Sequence, residues 1–203
     1  MLLALVDADY CFTIVDIGSF GGNSDGGIFQ NSVFGRKFEK NMLGIPDPCT
    51  ISNAENMGEF PYVIVADAAF PLRENMMRPY PGRGLDNEHD IFNKRLSRAR
   101  RVSENAFGIL VARWQIYDRR LNIEPQKLVK VVKATIVLHN LLQSRSFENN
   151  NHVIEPCDRS NSEFLRQNLN APRGGNRQRT GAAQWRNKFC NYFNGPGKLE
   201  WVV

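Results

Sequence analysis

A short, uninterrupted apolar run at residues 62–66 constrains the fold of this chain more than any other feature. A strand without polar residues is typical of a sheet that is covered on both of its faces. The run ends at Asp67, so we expect this carboxylate at the carboxyl end of a strand, which is where open α/β sheets place their ligands. The run therefore predicts an α/β fold with flanking helices.

Other strands and helices are predicted upstream of this run. Residues 2–6 and 11–17 are rich in β-forming side chains, and the Asp-Ala-Asp segment at residues 7–9 between them predicts a hairpin. Residues 28–42 have helical spacing of their apolar side chains. Residues 41–59 contain prolines and a glycine, which indicate a surface connection.

Two long helices are predicted downstream of the run. Asp86 and Asn87 can cap the first, whose apolar stripe extends over residues 92–114. Pro125 opens the second at a position where proline is favoured. His139 lies on the apolar face of this second helix, so we expect a core histidine rather than a metal ligand.

The composition limits the class of protein. The chain has 203 residues, enough for one domain with a tail, and its net charge of +5 favours a polyanionic partner such as nucleic acid. The four cysteines are widely spread, with no pair at zinc-finger spacing, so we expect neither a zinc site nor a disulfide framework. No apolar run approaches the ~18 residues of a membrane span, and no signal peptide is expected.

The composition changes after residue 144. Runs of asparagine, glycine and arginine there predict a largely disordered basic tail over residues 145–203. Aromatic residues return near the end of the chain, from Trp185 to Trp201, and predict a short docked helix. We therefore predict one folded domain at residues 1–144, followed by this tail.

Two carboxylates lie where metal-dependent chemistry could use them. Asp67 follows the predicted strand, and Glu104 lies at the border of the apolar stripe of the first long helix. Converging carboxylates repel one another, and Mg²⁺ or Mn²⁺ relieves that repulsion. Two such ions about 4 Å apart activate water and stabilise the leaving oxygen of a phosphodiester. The spacing alone is a weak signal.

Each acid also has a purely structural interpretation. Asp67 could cap the turn after its strand. Glu104 could pair with Arg100 or Arg101 on the helix surface, a contact that contributes only about 0.3–0.5 kcal/mol. Asp25 lies in a glycine-rich segment, where turn geometry alone favours aspartate.

A basic run occupies the same helix as Glu104. It consists of Lys94, Arg95, Arg98, Arg100 and Arg101. It could be an ordinary solvated face, or a surface that contacts phosphates and positions them near the acids.

Several motifs together resemble the nuclease domain of PIF/Harbinger transposases, a group within the DDE superfamily of endonucleases. Val-Ile-Val-Ala-Asp-Ala-Ala-Phe-Pro-Leu at residues 63–72 resembles the family's "L-x-D-x-x-Y/F-P-L" strand. The other blocks follow in the family's order: Met-Arg-Pro-Tyr at 77–80 for "L-T-P-Y", 92–100 for "F-N-x-x-x-S-x-x-R", 102–108 for "V-x-E-x-A-F-G", 137–141 for "x-L-H-N", and 18–29 for "G-S-x-x-D-x-x-x-F". They cover roughly residues 2–144.

The resemblance implies an RNase H-like mixed sheet with flanking helices that cuts DNA with a divalent metal, Mg²⁺ or Mn²⁺. It implies Asp67 and Glu104 as catalytic and metal-binding residues, with Asp25 as an additional acid near the metal. It further implies a nuclear location and a separate Myb-like DNA-binding partner. DNA contacts from Lys94, Arg95, Arg98 and Arg101 are expected from the charge of the basic run. A homo-oligomer is compatible with this picture, and a membrane is not expected.

The chain departs from the family at its beginning. The family's first catalytic aspartate stands in a "D-G-T" type motif of the first, central strand, and nothing like it precedes Asp7. Asp7 matches a second-strand position that is not catalytic. We therefore expect an incomplete fold that lacks this central strand. Two functions stay open: a metal-dependent DNA endonuclease, inactive where the missing acid is essential, and a domesticated, catalytically dead protein- or DNA-binding module. A decayed element without function is a further alternative.

Overall fold

The computed structural model describes residues 1–18, 25–119, 122–148 and 180–199. Within these residues the chain is mixed α and β, with five α-helices and three two-stranded sheets. The strands are β1 (Leu2–Val6), β2 (Phe12–Ile17), β3 (Cys49–Thr50), β4 (Glu59–Phe60), β5 (Ile64–Val65) and β6 (Met76–Met77). The helices are α1 (Asp25–Asn31), α2 (Val33–Glu39), α3 (Asn87–Arg113), α4 (Pro125–Glu148) and α5 (Thr180–Asn194). In the described part of the chain, no helix is long and apolar enough to cross a bilayer.

The described residues fall into two compact units. The first contains residues 1–18, 31–34, 101–119 and 122–148, and the second contains residues 25–30, 35–100 and 180–199. The predicted boundary at residue 144 stays a prediction, and residues 149–179 of the predicted tail lie outside the described residues.

The first unit is organised around the β1–β2 hairpin. The two strands are antiparallel, with Leu2 opposite Ile17 and a register shift near Val6 that marks an irregularity in the ladder. The connecting turn is closed by Asp7, whose Oδ1 accepts hydrogen bonds from the backbone N–H groups of Asp9 and Cys11 at 3.0 and 2.9 Å. The predicted hairpin is therefore confirmed.

Helix α4 is attached to this hairpin by two consecutive polar residues. The side-chain amide of Asn140 accepts from the Phe12 N–H and donates to the Phe12 carbonyl, both at 2.9 Å, as a neighbouring strand would do. His139 is fully buried, and its Nε2 lies 2.8 Å from the Tyr10 carbonyl oxygen. Because a carbonyl only accepts, Nε2 carries the proton. The expected core histidine is confirmed.

Apolar side chains complete the core of the first unit. Its buried members are Phe12, Ala106, Leu110, Val132 and Ile136. They come from β2, α3 and α4, so the three-and-four spacing buries part of each predicted stripe, whereas Leu138 and Leu142 on the predicted apolar face of α4 are exposed.

The second unit has its core under the C-terminal helix. Its buried residues are Phe60, Leu72, Met77, Phe92, Leu96, Ala182, Phe189 and Cys190. Helix α5 supplies the last three of these, so the predicted docking of the aromatic segment is confirmed.

Polar contacts fix α5 in place. Arg186 is buried, donates from Nη1 to the Pro79 carbonyl at 3.4 Å, and places its guanidinium 4.0 Å from the centre of the Tyr80 ring. Burial raises the pKa of Tyr80 to about 12, so its hydroxyl stays protonated and donates to Asn187 Oδ1 at 2.7 Å.

The predicted helix at residues 28–42 is wrong as a single element. The chain forms α1 and α2 with a bend at Ser32 between them. Asp16 Oδ2 accepts from the Val33 N–H at 2.9 Å and so caps the start of α2. This cap comes from β2, and local spacing could not reveal it. The predicted connection at 41–59 also contains the short β3–β4 ladder.

The strand predicted at residues 62–66 is shorter than expected. Only Ile64 and Val65 form ladder pairs, in parallel with Met76 and Met77. Its side chains are half-buried rather than fully covered, and within the described residues β5 pairs along one edge only. The described strands do not assemble into one sheet, and the RNase H-like arrangement stays a prediction.

We predict that His139 makes the stability of the first unit pH-dependent. Burial lowers the pKa of His139, and the nearby Arg113 lowers it further, against the opposing effect of the Tyr10 carbonyl. Below pH ~6.5 the histidine of the unfolded chain therefore binds a proton, whereas the buried histidine of the folded chain stays neutral. The free energy of unfolding falls as the pH drops, by at most about 1.4 kcal/mol per pH unit. Denaturant unfolding of the wild type and of His139→Gln between pH 7.5 and 5 (roughly the range around this reference pKa) measures the difference. Equal pH profiles for the two proteins would contradict it.

Candidate active site

Asp67 begins a tight turn directly after β5. Its Oδ1 accepts from the Ala69 N–H at 2.8 Å, and its carbonyl accepts from the Phe70 N–H at 3.3 Å. The capping role considered from the sequence is therefore real. Asp67 is half-buried, and no described residue donates a hydrogen bond to its Oδ2. Among the described residues, this second oxygen is therefore available to a ligand.

Arg78 holds this turn from its other end. Its Nη1 lies 3.3 Å from the carbonyl oxygens of both Ala68 and Phe70. Burial lowers the pKa of Arg78, although arginine stays charged at any physiological pH. Sequence reasoning missed this residue, because it stands where the family's "L-T-P-Y" block has threonine.

Helix α1 brings a second carboxylate to the turn. Asp25 is the first residue of α1, and Gly26 follows it. A Cβ atom on Gly26 would lie only 2.5 Å from the Ala69 carbonyl oxygen, so only glycine permits this approach. Phe29 continues the contact by packing its ring against Phe70, at 5.7 Å between ring centres and in an edge-to-face geometry.

The two carboxylates interact electrostatically. Partial burial raises the pKa of Asp25, and the negative charge of Asp67 raises it further. Paired oxygen ligands of this kind suit a hard divalent cation, which would relieve the repulsion. In the described part of the chain, no group of three or more His, Cys, Asp or Glu residues could hold a metal ion. The donors thus fit a metal in kind, with two carboxylates rather than three.

Glu104 lies on α3, within the first unit, and is exposed. Glu104 is engaged in an interaction of its own. Asp25 and Asp67 belong to the second unit. The convergence of Glu104 with Asp67 therefore stays a prediction.

The basic run on α3 divides into two groups. Arg95 is engaged inside the second unit, where Nη2 donates to the Gly197 carbonyl at 2.6 Å and the guanidinium lies 5.0 Å from the Phe193 ring centre. Lys94, Arg98 and Arg101 are exposed and follow one another at helical spacing on one side of α3. Lys94 also forms a 3.1 Å ion pair with Asp90.

We predict that the close approach at Gly26 cannot tolerate a side chain. Gly26→Ala forces the Ala69 carbonyl away and should lower the free energy of unfolding by about 1–3 kcal/mol. Gly108→Ala is the matched control, because a Cβ on this helical glycine of α3 would meet nothing within 4 Å. The control should be neutral or stabilising by up to about 1 kcal/mol. Chemical denaturation of both variants checks this, and equal effects would show that the Gly26 contact is not tight.

We also predict that Asp67→Asn lowers the pKa of Asp25. The substitution removes one negative charge and leaves the desolvation of Asp25 in place, so the pKa falls without reaching that of an exposed aspartate. Carboxyl carbon chemical shifts followed by NMR through an acid titration measure the change. An unchanged Asp25 titration would mean that the two carboxylates are not neighbours in solution.

Comparison with known proteins identifies the family. A family model described as DDE superfamily endonuclease matches residues 1–140. "Protein ALP1-like" from Arabidopsis thaliana is 29% identical over 142 residues, which are 70% of this chain and 34% of that protein. The chain thus spans about a third of the length of this curated relative. No solved structure matches significantly. Since the family model covers well over half of the chain, the chain belongs to the DDE superfamily endonucleases, the transposase-derived family that its motifs predict.

Proposed function

We propose that this chain is a divalent-metal-dependent DNA endonuclease domain that hydrolyses phosphodiester bonds. The observation that supports it is the pair of carboxylates on α1 and the turn after β5, in which the charge of Asp67 raises the pKa of Asp25. A carboxylate held beside a second negative charge is more useful to a cation site than to stability, because the charge of Asp67 disfavours the charged form of Asp25.

Asp67 and Asp25 would hold the cation in this proposal, Mg²⁺ or Mn²⁺, as hard ligands prefer. When bound, the metal supplies Lewis acidity that lowers the pKa of water and offsets negative charge on a phosphodiester. The protein's own contribution is orientation. The Ala69 N–H fixes one oxygen of Asp67, and Arg78 fixes the turn. The absence of a side chain at Gly26 lets α1 approach the turn and bring Asp25 to it.

Glu104 is proposed as a further catalytic and metal-binding residue. Its support is the similarity of residues 102–108 to the family's "V-x-E-x-A-F-G" block. This assignment requires an RNase H-like arrangement, in which a strand-end aspartate and a helix-borne glutamate face a shared cation.

DNA is the proposed substrate, and its backbone would contact Lys94, Arg98 and Arg101. These three cations share one side of α3, and phosphate contacts of this kind position a nucleic acid without reading its sequence. Arg95 was predicted to join them. It is proposed as a fourth contact, for which its bond to the Gly197 carbonyl would have to break first. A nuclear location and a Myb-like DNA-binding partner accompany the transposase-derived activity in this proposal.

A second function has its own supporting observation. One oxygen of Asp67 already caps a turn, and the described residues contain no group of three metal-binding side chains. A catalytically dead, domesticated module that binds DNA or protein would keep such a geometry without turnover.

A nicking assay separates these two functions. Supercoiled plasmid incubated with the full chain should be nicked in the presence of Mn²⁺ or Mg²⁺ and spared with EDTA. Asp67→Asn and Glu104→Gln should each lower the nicking rate at least ~100-fold, because each removes a charged ligand from a site built on few of them.

Matched controls remove the same charges elsewhere. Asp47→Asn lies in an exposed connection, and Glu124→Gln breaks only an exposed 3.4 Å ion pair with Lys127. Both should nick as the wild type does. Absence of metal-dependent nicking by the intact chain, with plasmid binding retained, would reject the nuclease and support the binding module.

A further inference from the structure

A cavity with a basic lining lies against α2, and no residue of the basic run of α3 lines it. It has a volume of about 320 Å³ and is lined by Gln30, Gly35, Arg36, Glu39, Lys40 and Arg73. This volume is at the lower end of the range for small-ligand sites, which begins at roughly 300 Å³. Three of the lining side chains are basic and one is acidic, so the lining carries a positive excess.

Arg73 is held rigidly at the cavity. Its Nε donates to Glu39 Oε1 at 2.8 Å, and its Nη1 donates to the Leu72 carbonyl at 3.1 Å. This leaves Nη2 without a partner among the described residues. Glu39 offsets one of the three positive charges of the lining, and Arg36 and Lys40 are both exposed.

The cavity uses the same two segments of chain as the carboxylate pair. Helix α1 carries Asp25 at its start and Gln30 near its end, and the β5–β6 connection carries both Asp67 and Arg73. A ligand that occupied the cavity and also approached the carboxylate pair would need several negative charges spaced along its length. A nucleic-acid backbone has them.

We propose that this cavity binds phosphates of a nucleic-acid backbone, with Arg36, Lys40 and Arg73 as ligands and with Arg36 and Lys40 on different phosphates. Guanidinium groups match phosphate oxygens in a planar fork, and lysine adds a mobile point charge. The proposal rests on the proposed function for its choice of nucleic acid over an acidic protein. It adds a second contact surface, separate from the stripe of Lys94, Arg98 and Arg101, that no motif in the sequence indicates.

The dependence of DNA binding on salt tests this site. Fluorescence anisotropy of a labelled duplex with the full chain, between about 50 and 200 mM salt, gives the slope of log affinity against log salt concentration. Arg36→Ala with Lys40→Ala should make this slope shallower by about 1.8, since each lost phosphate contact removes about 0.9. Lys37→Ala is the matched control, because this exposed lysine lies on the same helix and does not line the cavity. Its effect should stay below that of one contact.

Each other outcome overturns the assignment. Equal slope changes per charge in the Lys37 control and the double variant would mean general electrostatics. If polyglutamate binds as tightly as DNA and is weakened as much by the substitutions, the ligand is an acidic protein. If the substitutions weaken only the binding of inorganic phosphate, the ligand is a free anion. Should the double variant unfold, Lys40→Ala alone carries the test, with a slope change of about 0.9. If the wild-type chain nicks plasmid but the cavity substitutions leave the slope unchanged, the cavity assignment is rejected. If the substitutions change the slope but the wild-type chain nicks no plasmid, the nuclease is rejected.

Discussion

The close approach of α1 to the turn after β5 is the contact on which the candidate site depends. A glycine hydrogen faces the Ala69 carbonyl where any side chain would collide with it. This allows the first residue of α1 to stand beside the carboxylate that begins the turn. The aromatic contact between Phe29 and Phe70 stabilises the same junction from its apolar side. Packing therefore forces together two groups that electrostatics would separate.

The polar motif residues of this chain act largely on backbone atoms. Asn140 pairs with both the N–H and the carbonyl of Phe12, Arg78 bonds two carbonyls of the Asp67 turn, and Arg95 bonds the Gly197 carbonyl. Such contacts satisfy backbone groups that short strands leave unpaired. A chain whose described sheets have only two strands each needs this kind of support, because isolated hairpins are marginal in water.

Membership of the DDE endonuclease family and the geometry of the acids bear on different questions. The family model identifies ancestry over residues 1–140. The structure adds that Asp25 and Asp67 are electrostatic neighbours and that Asp67 also caps a turn. Capping and metal binding are compatible, because the Ala69 N–H uses one oxygen and a cation can use the other. The cap orients the carboxylate before any ligand arrives.

The sequence by itself determined the elements whose signals are local. Periodicity predicts the β1–β2 hairpin, both long helices and the buried position of His139. Each of these features depends on residues that are close together in sequence. The neighbourhood of Asp67 as a site was also readable, from motif resemblance. The sequence could not show that Asp16 would cap α2 and divide one expected helix into two.

Tertiary structure alone decided the contacts between distant segments. The approach of Gly26 to Ala69, the engagement of Arg95 by the chain after α5 and the placing of Arg36 and Arg73 around one cavity join residues far apart in sequence. Periodicity carries no information about such pairs, because it reports which face of an element is apolar and not which element will cover it. For that physical reason the acids were visible in the sequence, and their closest neighbours were not.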